Sequence, residues 1–250
     1  MRQRTRTRVA FLHSTAMISL FLMSCGGDDR TIESTVRYEP PMEHRIVVET
    51  VVDLPFDEAW NNLIRRLSES SFRVSTLEKA SRFVAVELLR SSDLAATANR
   101  PARYVDCGRT VRSFSDGEDT ERFDYAVAKS SHHREATSVE DGYRVSDVDR
   151  RVELEARSTL YLQPEGGRRT RITLKATYEL KIQIAGSAQI ISSDSGEPAG
   201  PKESFGPRVE SIRFTTFLPG QDLRRGGLTC RATGELEHAL IALANPAAAI

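Results

Sequence analysis

The chain is poor in the residues that announce chemistry. Its 250 residues hold three cysteines, five histidines and one tryptophan. No Gly-x-Ser-x-Gly elbow is present, so no nucleophilic serine of that class is marked. The phosphate loop and the Gly-x-Gly-x-x-Gly fingerprint are missing as well, and with them the usual signs of nucleotide binding. Neither charge is in excess: 35 basic side chains face 35 acidic ones. That balance argues against a nucleic-acid partner, which demands a basic surface. Long apolar runs are lacking too. The longest, Val9 to Met23, is interrupted by His13, Ser14 and Thr15, and a membrane-spanning helix needs about twenty apolar residues.

What is present begins with that short run. Arg2, Arg4, Arg6 and Arg8 precede it, and Leu22-Met23-Ser24-Cys25 closes it. A basic segment, an apolar segment and a small residue form the order of a removable signal. Leu22, Ser24 and Cys25 resemble the lipobox of bacterial lipoproteins; the alternative is an ordinary secretory signal with a chance cysteine. The resemblance implies cleavage after residue 24, thioether diacylation of Cys25 and acylation of the new amine, palmitate being a typical chain. Each buried CH₂ contributes about 0.8 kcal/mol, so several chains together hold a protein on its membrane. Gly26, rather than Asp, follows the cysteine. By the same resemblance this favours the outer membrane, with the folded part facing the periplasm.

Setting the signal aside changes the charge. Four of the 35 basic residues leave with it, so the remainder carries 31 basic and 35 acidic side chains, a net of −4. Setting Cys25 aside leaves Cys107 and Cys230. In an exported protein two such cysteines most simply pair. Two free thiols, or a bond to a partner chain, are the alternatives. The pair would close a loop of roughly 120 residues, and loops of about 100 residues gain about 4 to 5 kcal/mol in the chain-entropy account.

Along the rest of the chain, residues 25–44 are polar, aperiodic and carry Pro40-Pro41, which reads as a lipidated tether. Ordered structure is expected over 45–245. Ile46, Val48 and Thr50 alternate with Val47, Glu49 and Val51 as in a strand. Pro55 then opens a helix, with Asp57 and Glu58 in its first turn. Phe56, Ala59, Trp60, Leu63, Ile64 and Leu67 share one face of that helix. Strands follow at 72–77 and 83–88, with a short one at 102–107. Residues 112–147 are dense in charge and read as a polar insertion with one strand near 122–127. Two long alternating runs, 151–163 and 169–184, flank Pro164-Glu165-Gly166-Gly167 and predict a hairpin with one buried face. A strand at 209–217 and a helix from Gly234 to Ala244, with Thr233 as N-cap, complete the pattern. The expected fold class is α+β: a single domain in which a curved antiparallel sheet is packed by an N-terminal and a C-terminal helix.

The stretch Val52-Asp53-Leu54-Pro55-Phe56-Asp57-Glu58-Ala59-Trp60, with Leu63, Leu67, Phe72-Arg73-Val74 and the strand at 83–88, resembles the start of helix-grip domains in outer-membrane lipoproteins. BamC, an accessory lipoprotein of the β-barrel assembly machinery, carries domains of this kind. Cys230-Arg231-Ala232-Thr233-Gly234-Glu235-Leu236-Glu237 looks like the end of uncharacterised lipoproteins with the same layout. The resemblance implies a helix-grip-like fold and a place among envelope complexes. Helix-grip folds often hold an apolar ligand between sheet and long helix, so Trp60, Leu63 and Leu67 are the residues expected to line a ligand cavity.

Candidate chemistry is sparse. His132-His133 would point apart on a strand and lack a third ligand, so the pair reads as part of a solvated loop. His238 beside Glu235 reads as a surface pair. Asp116-Gly117-Glu118-Asp119 and Asp147-Val148-Asp149 lack EF-hand spacing and read as solvated acidic loops. No cofactor, metal or catalytic set is therefore expected, and the chain is not read as an enzyme. The expected role is that of a membrane-anchored, non-catalytic accessory or structural component of an envelope complex, its partners the membrane and an envelope protein. The alternative is a binding module for lipid or another hydrophobic ligand.

Overall fold

The computed structural model describes residues 31–88, 101–117, 119–222 and 227–245. The signal, the lipobox and Cys25 lie outside these residues, as do Glu118 and Pro246. Among the described residues no helix is long and apolar enough to cross a membrane.

The architecture rests on one hairpin. Strand β9 (Gly142–Glu165) and strand β10 (Arg169–Ser192) pair without a register break, from Arg169 opposite Glu165 to Ser192 opposite Gly142. The alternation seen in the sequence is the cause. Ile172, Leu174, Ala176, Tyr178, Leu180, Ile182 and Ile184 are all buried, as are Val152, Leu154, Ala156, Leu160 and Leu162 across from them. A one-residue slip would turn both sets to solvent, so the register is strongly fixed. The hairpin exceeds the expected 151–163 and 169–184 at its open end, where the alternation of apolar residues weakens.

Shorter strands flank the two halves differently. Near the hairpin turn, β2 (Glu49–Val52) pairs with β10, and β4 (Phe83–Leu88) pairs with β9. Strand β3 (Arg73–Glu78) extends the sheet beyond β4. Toward the open end, β8 (Ser131–Val139) pairs with β9 and β11 (Glu203–Thr215) with β10. Seven strands thus form one antiparallel sheet. A second sheet has the order β1 (Ile32–Glu39), β6 (Arg109–Asp116), β7 (Asp119–Ala126). A third, small sheet joins β5 (Val105–Asp106), β12 (Gly220–Asp222) and β13 (Leu228–Ala232).

Helix α1 (Phe56–Ser68) starts directly after Pro55 and buries Ala59, Trp60, Leu63 and Leu67. It packs against β9, β10 and helix α3 (Glu235–Ala244). Between them in sequence lies α2, a single turn at Pro101–Tyr104. Gly234 stands at the N-cap of α3 with φ +91°, a left-handed conformation that glycine adopts at little cost. Thr233, the expected cap, instead accepts the Glu235 N–H at 3.3 Å.

The α+β expectation is overturned. Strand accounts for 61% of the structure and helix for 13%. The protein is a mostly β assembly of several antiparallel sheets, and the two amphipathic helices cover one part of it rather than forming a layer of their own. Two segments account for the difference. Residues 32–39, within the expected tether, form β1, whose Ile32 is buried. Residues 112–147, the expected polar insertion, supply most of β6, all of β7 and β8, and the start of β9. At 102–107 a helical turn and a two-residue strand stand where one strand was expected.

The sulfurs of Cys107 and Cys230 lie at bonding distance, with Cα atoms 4.0 Å apart. Both residues are fully buried. Their bridge joins the link between β5 and β6 to β13, just before α3. Tyr38 on β1 closes over the same place. Its hydroxyl accepts the Thr229 N–H at 3.1 Å and lies 3.1 Å from the Cys107 carbonyl.

A candidate binding cavity between the sheets

Strands β1, β6 and β7 do not continue the large sheet. They lie over the half that carries β8 and β11, and a cavity of about 730 Å³ separates the two layers. Its lining mixes apolar side chains, Val36, Val127, Val148, Ile182, Ile184 and Phe205, with a polar set, Arg112, Tyr125, His133, Glu135, Arg150, Arg208 and Glu210. The two sets interleave across the ladders: Val36 lies opposite Arg112, Val148 opposite His133, Ile184 opposite Arg150 and Arg208, and Ile182 opposite Glu210. Gly206 shapes the rim. It adopts φ +83°, and a Cβ there would collide with the Ile184 carbonyl, so only glycine lets β11 approach β10 this closely.

The strand register explains why charged groups point inward. Thr110, Arg112 and Phe114 share one face of β6, and His133 and Glu135 share one face of β8, because side chains two apart lie on the same side. Arg112 donates from Nε to the Tyr125 hydroxyl at 3.1 Å and from Nη1 to Glu135 Oε2 at 2.8 Å. The same carboxylate oxygen lies 3.5 Å from Nε2 of His133. Tyr125 stacks on the His133 ring at a centroid distance of 5.8 Å. The Arg150 guanidinium also sits over the Tyr125 ring, 5.1 Å from its centre.

His133 is only 2% exposed. Burial holds its imidazole below the usual histidine range, outweighing the hydrogen bond to Glu135 that pulls the other way, while Arg112 adds to the lowering. The ring is therefore neutral at neutral pH, with Nε2 as donor toward Glu135. Its Nδ1 has no hydrogen-bond partner among the described residues. Glu135 is held below the ordinary carboxylate range, first by His133 and then, against burial, by Arg112. Arg150, 7% exposed, donates from Nη1 to the Ser131 hydroxyl at 3.0 Å and the Lys129 carbonyl at 3.4 Å, and from Nη2 to the Val127 carbonyl at 3.1 Å. All three acceptors are neutral. Burial lowers its pKa and Arg112 adds to the lowering, while Tyr125 and then Glu210 act in the other direction.

The residues singled out in the sequence fall elsewhere. Trp60, Leu63 and Leu67, the expected cavity lining, are 4%, 0% and 1% exposed in the packed core under α1 and do not line this cavity. His132 and His133 do point apart, but on β8 rather than in a solvated loop. His132 meets Asp149 at 3.0 Å on the surface, whereas His133 turns into the cavity. Asp147 pairs with Lys202 and Arg134. His238 is exposed, and Glu235 pairs with Arg103 at 3.6 Å instead. Among the described residues no three His, Cys, Asp or Glu side chains converge as a metal set. Tyr38, Arg112, Tyr125, Glu135, Arg150, Arg208 and Glu210 were not marked in the sequence. The one available signal was the i, i+2 recurrence of Thr110-Arg112-Phe114 and of His133-Glu135.

No family model, curated protein or solved structure matches this chain.

Proposed function

We propose that the protein is a lipid-anchored envelope binding module that takes up a small hydrophobic or amphipathic molecule between its two larger sheets. The observation that carries this reading is the cavity itself. Its volume, about 730 Å³, falls within the range of about 300 to 1,000 Å³ typical of small-molecule sites. Its lining also sets apolar side chains beside a small number of polar and charged ones, the composition by which such sites combine affinity with orientation. Of the two roles read from the sequence, ligand binding is the one these features support. The accessory role in an envelope complex gains no separate observation from the fold. The anchor belongs to the proposal on the strength of Leu22-Met23-Ser24-Cys25 alone: acyl chains on Cys25 would hold the binding domain at the outer membrane, facing the periplasm.

Two experiments test the reading. The full-length protein, extracted from envelopes, is expected to release a stoichiometric small amphiphile on denaturation. Val148→Trp, which fills the cavity from β9, is expected to release little. Equal amounts from both proteins, or none from either, would overturn the binding role. For the anchor, Cys25→Ala is expected to shift the protein from the membrane to the soluble fraction.

A further inference from the structure

Arg150 is the group in this cavity that the fold leaves least compensated. Three arginines and two glutamates line the space. Glu135 is committed to Arg112 and His133, and Arg208 pairs with Glu210 at 3.1 Å. Arg150 forms no ion pair among the described residues. Three of its hydrogen bonds go to neutral oxygens. An arginine has five N–H donors, so its Nε–H and one Nη2–H remain uncommitted at the cavity wall. A buried charge without a counter-charge is unfavourable, and proteins rarely keep one without a use.

We infer that the cavity binds a carboxylate-headed amphiphile, its head on the Arg150 guanidinium beside His133 and its tail along Val148, Ile182 and Ile184. The inference rests on the binding role proposed above and names the ligand class for that site. One surplus positive charge matches a single negative one. A phosphate monoester carries about −1.5 to −2 at neutral pH and would overcharge the site. Charge-assisted N–H···O⁻ bonds are roughly twice as strong as neutral ones, and here they would form at a guanidinium that is itself largely buried. The unpartnered Nδ1 of His133, an acceptor while the ring is neutral, adds a preference for a ligand that carries a hydroxyl or other donor near its head. Ile184 and Val148 are the cross-strand partners of Arg150 and His133, so apolar contacts for a chain lie directly beside the groups that would hold the head.

The test uses full-length protein in phosphatidylcholine nanodiscs, with empty nanodiscs as reference, and equilibrium dialysis of octanoate against octanamide. The two probes share a chain and differ in head charge. A preference for octanoate of about tenfold or more is expected from charge-assisted bonding. Arg150→Met is expected to remove that preference while leaving octanamide binding in place. Because the variant could unfold, the comparison on the unaltered protein stands alone. Equal binding of both probes by the unaltered protein overturns the carboxylate assignment and leaves the binding role standing. Binding of neither overturns both. Tighter binding of octyl phosphate than of octanoate overturns the choice of carboxylate.

Discussion

Tyr178 on β10 donates its hydroxyl proton to Oε1 of Glu237 on α3 at 2.7 Å, and the carboxylate that receives it has no exposed surface. The Thr216 hydroxyl meets the same oxygen at 2.8 Å while accepting the Ala176 N–H at 3.0 Å. Strand β10, the bend after β11 and helix α3 are thus joined through one buried oxygen. Burial, followed by the neighbouring carboxylate, holds the Tyr178 hydroxyl far above its usual range, so it stays protonated as the donor. Tyr178→Phe removes that donor and leaves the carboxylate buried. A loss of about 1 to 3 kcal/mol is expected, read as a lower midpoint in urea with an unchanged slope. A change below a few tenths of a kcal/mol would show that the bond is not made in solution.

His133 gives the cavity a pH response. Its pKa is lower in the folded state than the unperturbed 6.5, so the unfolded chain binds the extra proton first. Its contribution to stability is complete above about pH 6.5 and is lost as pH falls from there toward the folded value. Glu135, also lowered, from 4.5, adds a second loss at more acid pH. His133→Gln is expected to flatten the loss of stability that sets in as pH falls below about 6.5, and to shrink the more acid loss, because His133 is the first cause of the Glu135 lowering. Denaturant midpoints across pH 4 to 8 check both.

The cysteine bridge should matter when tested by reduction. Cys107 and Cys230 are 123 positions apart, and removing a native disulfide typically costs about 2 to 5 kcal/mol. Adding reductant, or replacing both residues by Ala, is expected to lower the thermal midpoint. Reductant is expected to leave the double Ala variant unaffected.

Leu63 separates core from cavity. It is fully buried beneath α1, so Leu63→Ala is expected to cost about 2 to 5 kcal/mol. Octanoate binding by the folded fraction should stay unchanged. A selective loss of binding without a loss of stability would return Leu63 to the ligand site.

How much of this could be read from the sequence follows the apolar periodicity. Where hydrophobics recur cleanly, as at Ile172, Leu174, Ala176 and Tyr178 or at Ala59, Trp60, Leu63 and Leu67, both element and buried face were legible. Where the inward face is polar, they were not. On β6 that face carries Thr110 and Arg112, and on β8 it carries His133 and Glu135. Such residues normally mark the solvent side, so the strands read as a loop. The same substitution of charge for hydrocarbon makes the cavity polar, so the segments hardest to read from pattern are those that build the site. Tyr38 was hidden for another reason: β1 follows the polar stretch after Cys25 with no turn or composition break to mark its start.

That early start of β1 would limit the height of a lipid-anchored domain above its membrane. If acyl chains sit on Cys25, only seven positions separate them from Ile32, which is already paired opposite Asp116. Fully extended, seven residues reach about 25 Å, well short of what a leash running to residue 44 would allow. Because β1 is paired with β6 along its length, a pull on such a leash would be delivered at the β6–β7 turn. The domain would ride close to the lipid surface with that turn lowermost, and molecules leaving the bilayer would meet the layer that covers the cavity first.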